Sequence, residues 1–143
     1  MNCTDARAYT DGVDIASSTL DAIRRVLASH ADVRAGYVFG SRAGGQARAD
    51  SDLDVGVLYR ARQPLDISLQ LEANLQAAVD LSVDLVDVAR AGAFLALDII
   101  RGERIFTRDP VETDRFELYV LGRAGDLLPF ERQRQALLLG TTR

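Results

Sequence analysis

The stretch "FGSRAGGQARADSDLDVGVL", Phe39 to Leu58, constrains this chain more than any other. Its two ends read as buried strands, because Val33, Tyr37, Val38 and Phe39 crowd before Gly40, and "DLDVGVLYR" alternates apolar residues from Asp52 to Arg60. Within the second strand two carboxylates, Asp52 and Asp54, stand one residue apart. Side chains two apart on a strand share a face, so Asp52 and Asp54 project together while Leu53 and Val55 point the other way. Two carboxylates side by side repel unless a cation lies between them. An alternating, solvent-exposed acidic face accounts equally well for "DLD" taken alone.

The surrounding pattern settles the fold class. Val13, Ala16, Leu20, Ile23 and Leu27 recur at three- and four-residue steps, one face of a helix. Pro64 suits the first turn of a second helix running to about Asp80, "LSVDLVDVA" reads as a third strand, and "AGAFLALDIIRGE" as a helix closed by Gly102. "RIFTRDP" is a short fourth strand ending before Pro110, and a helical region covers about 111–139, with Pro129 marking a kink or break. A short loop or helix lies between the first two strands. Alternating elements predict an α/β (α+β) domain with a mixed sheet of about four strands flanked by helices. At 143 residues the chain predicts one domain, 1–143.

The third strand offers Asp84, which shares a face with Val86 and Val88, whereas Val83, Leu85 and Asp87 face away. An acid in the middle of so apolar a strand is exposed, paired or bound to metal. If the third strand lies beside the second, Asp84 meets Asp52 and Asp54. Three converging carboxylates suit Mg²⁺, and two such ions would clamp the attacking and leaving oxygens of a phosphoryl-type displacement. Gly40 lets the backbone turn and a phosphate approach, and Ser41 heads a segment whose free N–H groups suit an anion. Arg42 adds charge beside that turn, and Ser51 shapes the entry to the second strand close to the acids.

Gly40-Ser41, ten residues, Asp52-Leu53-Asp54 and then a strand-borne Asp84 together resemble the nucleotidyltransferases of the DNA polymerase β superfamily. The chain is most similar to the minimal nucleotidyltransferase (MNT) proteins, many of them antitoxins encoded beside a HEPN-domain RNase toxin. The likeness covers Val33 to about Arg108, and more loosely the helical end. It implies the family's polymerase-β-like fold. It implies that Asp52 and Asp54 bind the metals, that Asp84 binds one metal and helps deprotonate an acceptor hydroxyl, and that Gly40 and Ser41, with Arg42 and Ser51 beside them, hold the nucleotide. For the antitoxin branch the implied reaction moves AMP from ATP onto a tyrosine of the HEPN toxin, with Mg²⁺ as cofactor, ATP as substrate and a hetero-oligomer with the toxin. Two other readings stand beside it: an antitoxin that neutralises by covering the toxin without catalysis, and a small-molecule nucleotidyltransferase of the aminoglycoside type.

Composition narrows the alternatives. All seventeen basic residues are Arg, which removes Schiff-base chemistry and the P-loop lysine. A formal charge of −4 disfavours a nucleic-acid partner, although a local Arg patch stays open. One cysteine, Cys3, builds neither a disulfide framework nor a cysteine zinc site, and predicts a cytoplasmic protein. No apolar run reaches membrane-spanning length. His30, the only histidine, reads as a helix-end residue, which excludes a His-dependent triad. Tyr37, Phe39, Phe94 and Phe106 read as core, Tyr59 and Tyr119 as candidate surface contacts, and "ERQRQ" as a solvated helix face.

Overall fold

A computed structural model describes residues 15–40 and 52–139. The elements run α1 (Ser17–Ser29), β1 (Val33–Phe39), β2 (Leu53–Tyr59), α2 (Leu65–Val79), β3 (Val83–Asp87), a 3₁₀ turn (Val88–Arg90), α3 (Ala93–Ile100), β4 (Glu103–Thr107) and α4 (Pro110–Leu139). The four strands form one mixed sheet in the order β3-β2-β1-β4. The β1–β2 and β1–β4 pairs are antiparallel, and β2–β3 is parallel. A parallel neighbour needs a crossover, and α2 supplies it.

Alternation along the strands feeds two cores. On one face Val38, Leu53, Val55, Val57 and Val83 pack with Leu20, Ile23 and Leu27 of α1 and Leu71 and Leu75 of α2. On the other, Ala35, Tyr37, Phe39 and Leu58 pack with Val88, Ala96 and Ile99, and with Val120 of α4. Burying both faces accounts for the near-continuous apolar character of β1 and β2, each with five consecutive buried residues at its end. An irregularity in the β1–β2 register between Val33 and Ala35 moves Val33 to the α1 face.

The caps follow local chemistry. Asp80 closes α2 in the left-handed region at φ 56°, its N–H bonded to the Gln76 carbonyl. Asp109 precedes α4, accepting the Glu112 N–H on Oδ1, with Pro110 as the first helical residue. His30 ends α1 as expected.

Three sequence expectations are corrected. Pro129 neither ends nor divides the terminal helix, which runs unbroken through it from Pro110 to Leu139. The ring removes one N–H, and the residue four positions earlier, Gly125, is exposed, so solvent can take the freed carbonyl. Tyr59 is buried, with its hydroxyl 2.8 Å from Ser68 Oγ, because strand parity turns it toward α2. Phe94, read as core, is corrected too, since it lies exposed on α3 beside the buried Ala93, whereas Tyr119, read as a surface contact, is exposed as expected. The loop or helix between the first two strands, and Val13, lie outside the described residues.

Candidate active site

Asp54 sits second in β2, opposite Phe39 of β1 and directly beside Asp84 of β3. Neighbouring strands are about 4.8 Å apart, so matched register sets these two carboxylates side by side although thirty residues separate them in sequence. Strand parity holds: Leu53 and Val55 point into the α1–α2 core, and Val86 lies on the opposite face. Asp52 immediately precedes β2 and is exposed, as is Asp84, whereas Asp54 is half-buried. Burial pushes the Asp54 carboxyl above its ordinary range, and the charges of Asp84 and then Asp52 push it further. All three acids therefore share one electrostatic site.

Gly40 forms the opposite wall. It follows β1 with φ +83°, a conformation that disfavours a side chain. A Cβ there would also collide with the Asp54 carboxylate oxygen and come within 3.0 Å of its Cγ. The Gly40 backbone thus lies against the central acid. Ser41, Arg42 and Ser51, the remaining nucleotide-binding candidates, lie outside the described residues.

Among the described residues no three Asp, Glu, His or Cys side chains are already gathered as a metal-binding group. The donor chemistry nonetheless fits a hard divalent cation. The acids supply oxygen ligands only, and their repulsion, visible at Asp54, is of the kind a cation between them relieves. Mg²⁺ rarely occupies an all-protein cage; one or two carboxylates plus substrate phosphates usually hold it.

The other acids near this edge have separate duties. Asp87 accepts the Ala89 N–H at 3.2 Å and lies 3.7 Å from Arg90 Nε, so it caps the 3₁₀ turn, as its outward parity implied. Asp80 is the α2 cap.

This geometry agrees with what comparison finds. Residues 21–111 match the family described as polymerase beta, nucleotidyltransferase. The chain belongs to that family. Its relatives include protein adenylyltransferase MntA of Thermococcus cleftensis, 33% identical over 94 residues that span 61% of this chain and 95% of the relative. Among solved structures it resembles a toxin–antitoxin crystal structure with AMP-PNP at a TM-score of 0.70 and 22% identity, covering 85% of this chain and 97% of the other. It also resembles the complex of a tri-AMPylated Shewanella oneidensis HEPN toxin with its MNT antitoxin, at 0.65 and 21%, covering 86% and 95%. The chain is thus a nucleotidyltransferase-family domain, similar to MntA over nearly the whole of that relative and sharing the fold of the MNT antitoxins.

Sequence reading missed what supports this nucleotidyltransferase site. Gly102, after α3, packs so closely that an added Cβ would meet the Val38 carbonyl and lie 2.9 Å from Phe39 Cβ, which seats the end of β1 just before Gly40. Behind it, the Tyr37 hydroxyl donates to Glu117 Oε2 at 2.6 Å, and Arg104 holds Glu117 and Asp114 at 3.1 and 2.8 Å. Only the acids Asp114 and Glu117, three apart on α4, hinted at this clasp.

Proposed function

We propose that this nucleotidyltransferase transfers AMP from ATP to a tyrosine hydroxyl of a HEPN-domain RNase toxin, and so neutralises it. The observation that carries the reading is the register that sets Asp54 beside Asp84 while the Gly40 turn lies against Asp54. The similarity to a protein adenylyltransferase supports AMP as the transferred group. The acceptor oxygen bonds to the α-phosphorus, the bond to pyrophosphate breaks, and the phenolic proton passes to Asp84, whose exposure leaves it open to a docked protein. Asp52 and Asp54, with Asp84, would hold Mg²⁺, which when bound offsets the negative charge of the acids and triphosphate. Gly40, Ser41, Arg42 and Ser51 are assigned to the nucleotide.

In this reading the acceptor is carried by a protein that docks on the chain's surface. Phe130, Leu137 and Leu138, exposed along the far half of α4, support docking of a protein partner. Among the described residues no helix is long and apolar enough to cross a membrane.

The test is incubation with labelled ATP, Mg²⁺ and a HEPN RNase, followed by intact mass of the RNase. AMP added by the unmodified chain and not by Asp54→Asn supports the proposal. An RNase that is inhibited but never modified would replace it with neutralisation by binding alone, and AMP on an aminoglycoside instead would identify a small-molecule enzyme.

A further inference from the structure

A second concave site lies at the opposite end of the sheet. β2 carries Asp54 near its start and runs straight into Arg60 after its end, six residues on, or about 20 Å along the strand. There a cavity of about 340 Å³ is lined by Arg34, Arg60, Arg62 and Arg90, with Asp87 and the ring of Phe116. Four arginines line one cavity of a chain whose formal charge is −4.

One carboxylate, Asp87, stands among them, and the charges of Arg90 and Arg62 both act on it, which leaves the arginines in excess. Asp87 is engaged by the Ala89 N–H and by Arg90, and Arg90 also donates to the Gln63 carbonyl at 3.1 Å. Among the described residues Arg34, Arg60 and Arg62 form no ion pair, and the Arg34 Nε is buried with no hydrogen-bond partner. Carrying a cation into a wall without an acceptor is costly, and an anion in the cavity offsets that cost. Planar guanidinium forks are matched by phosphate oxygens, which take paired N–H donors.

We infer that this cavity binds a small phosphate ester of mononucleotide size, at a site separate from the Asp52–Asp54–Asp84 cluster. The volume exceeds what inorganic phosphate fills and lies within the range of small-ligand pockets. Phe116 offers a flat apolar surface for a base or sugar beside the charged groups. The small extent of this half-open cavity, together with the acidic charge of the whole chain, disfavours an extended nucleic-acid strand.

Calorimetric titration of the full chain with AMP, without divalent metal and at low salt, tests the inference, with adenosine as the uncharged control. AMP should bind and adenosine should not, added salt should weaken the binding, and Asp54→Asn should retain it. The double substitution Arg60→Ala/Arg62→Ala, at two exposed side chains, should weaken it by about tenfold or more. In the unmodified chain, the amide shifts that AMP moves should cluster at residues 58–62 and 87–90. Shifts confined to the neighbourhood of Asp54, affinity unchanged by the double substitution, or binding of an acidic peptide with none of AMP would each overturn it. These outcomes do not depend on AMP transfer to a toxin, so failure here leaves the proposed reaction standing, and the reverse.

Discussion

Gly40→Ala tests most directly whether the turn after β1 and the central acid form one unit. The substitution acts twice. At φ +83° a Cβ costs about 1–2 kcal/mol in backbone strain. The same atom would occupy the place of the Asp54 carboxylate oxygen and lie within 3.0 Å of its Cγ and 3.3 Å of its Cβ, so the half-buried side chain must leave its position. The strain alone should lower the unfolding midpoint by roughly 3–6 °C for a chain of this size, at about 3 °C per kcal/mol. Displacement of the acid by an ångström or so should cost nucleotidyl transfer about 10²-fold, a loss much larger than the stability change explains. The paired measurements are thermal unfolding and the initial rate of AMP transfer, with Gly92→Ala as control, since a Cβ at Gly92 meets nothing within 4 Å. A Gly40→Ala protein that melts like the unmodified chain and transfers AMP within a factor of about three of it would refute the coupling of turn to acid.

Asp54→Asn should reduce AMP transfer by at least about 10²-fold while stabilising the metal-free fold. Its sign follows from the raised carboxyl: folding favours the protonated form, so that contribution is complete below the ordinary pKa of 3.8 and is lost as pH rises through the higher folded value. The stabilisation by Asn should therefore be present in melting curves at neutral pH and vanish in acid; equal gains at both would contradict it. Tyr37→Phe removes a buried hydroxyl that donates to Glu117, and should cost about 1–2 kcal/mol in denaturant unfolding, since Arg104 keeps Glu117 partly satisfied. Burial and the Glu117 charge push that phenol far above its usual range, so the loss should not vary between pH 6 and 9, roughly the span in which an unperturbed tyrosine stays neutral. Gly122→Ala, inside α4 with no atom within 4 Å of the new methyl, should stabilise by about 0.5–1 kcal/mol, and a lowered unfolding midpoint would mean that α4 is not helical there in solution.

The sequence made the strands and the acids legible because both obey period two. Parity alone put Asp84 rather than Asp87 on the face of Asp54, and the ladder agrees. The helices were legible by spacing, except where solvent exposure overrode a local rule: Pro129 reads as a break, yet the helix passes through it. Tyr59 was misread because its parity was not applied beyond the acids, although residue 59 shares the face of Leu53 and Val55. The Gly102 seat and the Tyr37–Glu117 bond join residues more than sixty positions apart, and no local pattern encodes such a meeting. The arginines of the far cavity are likewise scattered from Arg34 to Arg90 and meet only because β1 begins where β2 and β3 end. The roles assigned to Ser41, Arg42 and Ser51 rest on motif alone.

The parallel pairing of β2 with β3 also fixes when the acids can come together during folding. The antiparallel β1–β2 pair closes a short loop, whereas Asp84 reaches Asp54 only after the α2 crossover has packed, a costlier closure that favours late formation. A chain emerging from the ribosome thus acquires Asp52 and Asp54 well before their third partner. The carboxylates thus cluster only once the crossover has packed, while β4, more than sixty residues from its β1 partner in sequence, makes a longer closure still.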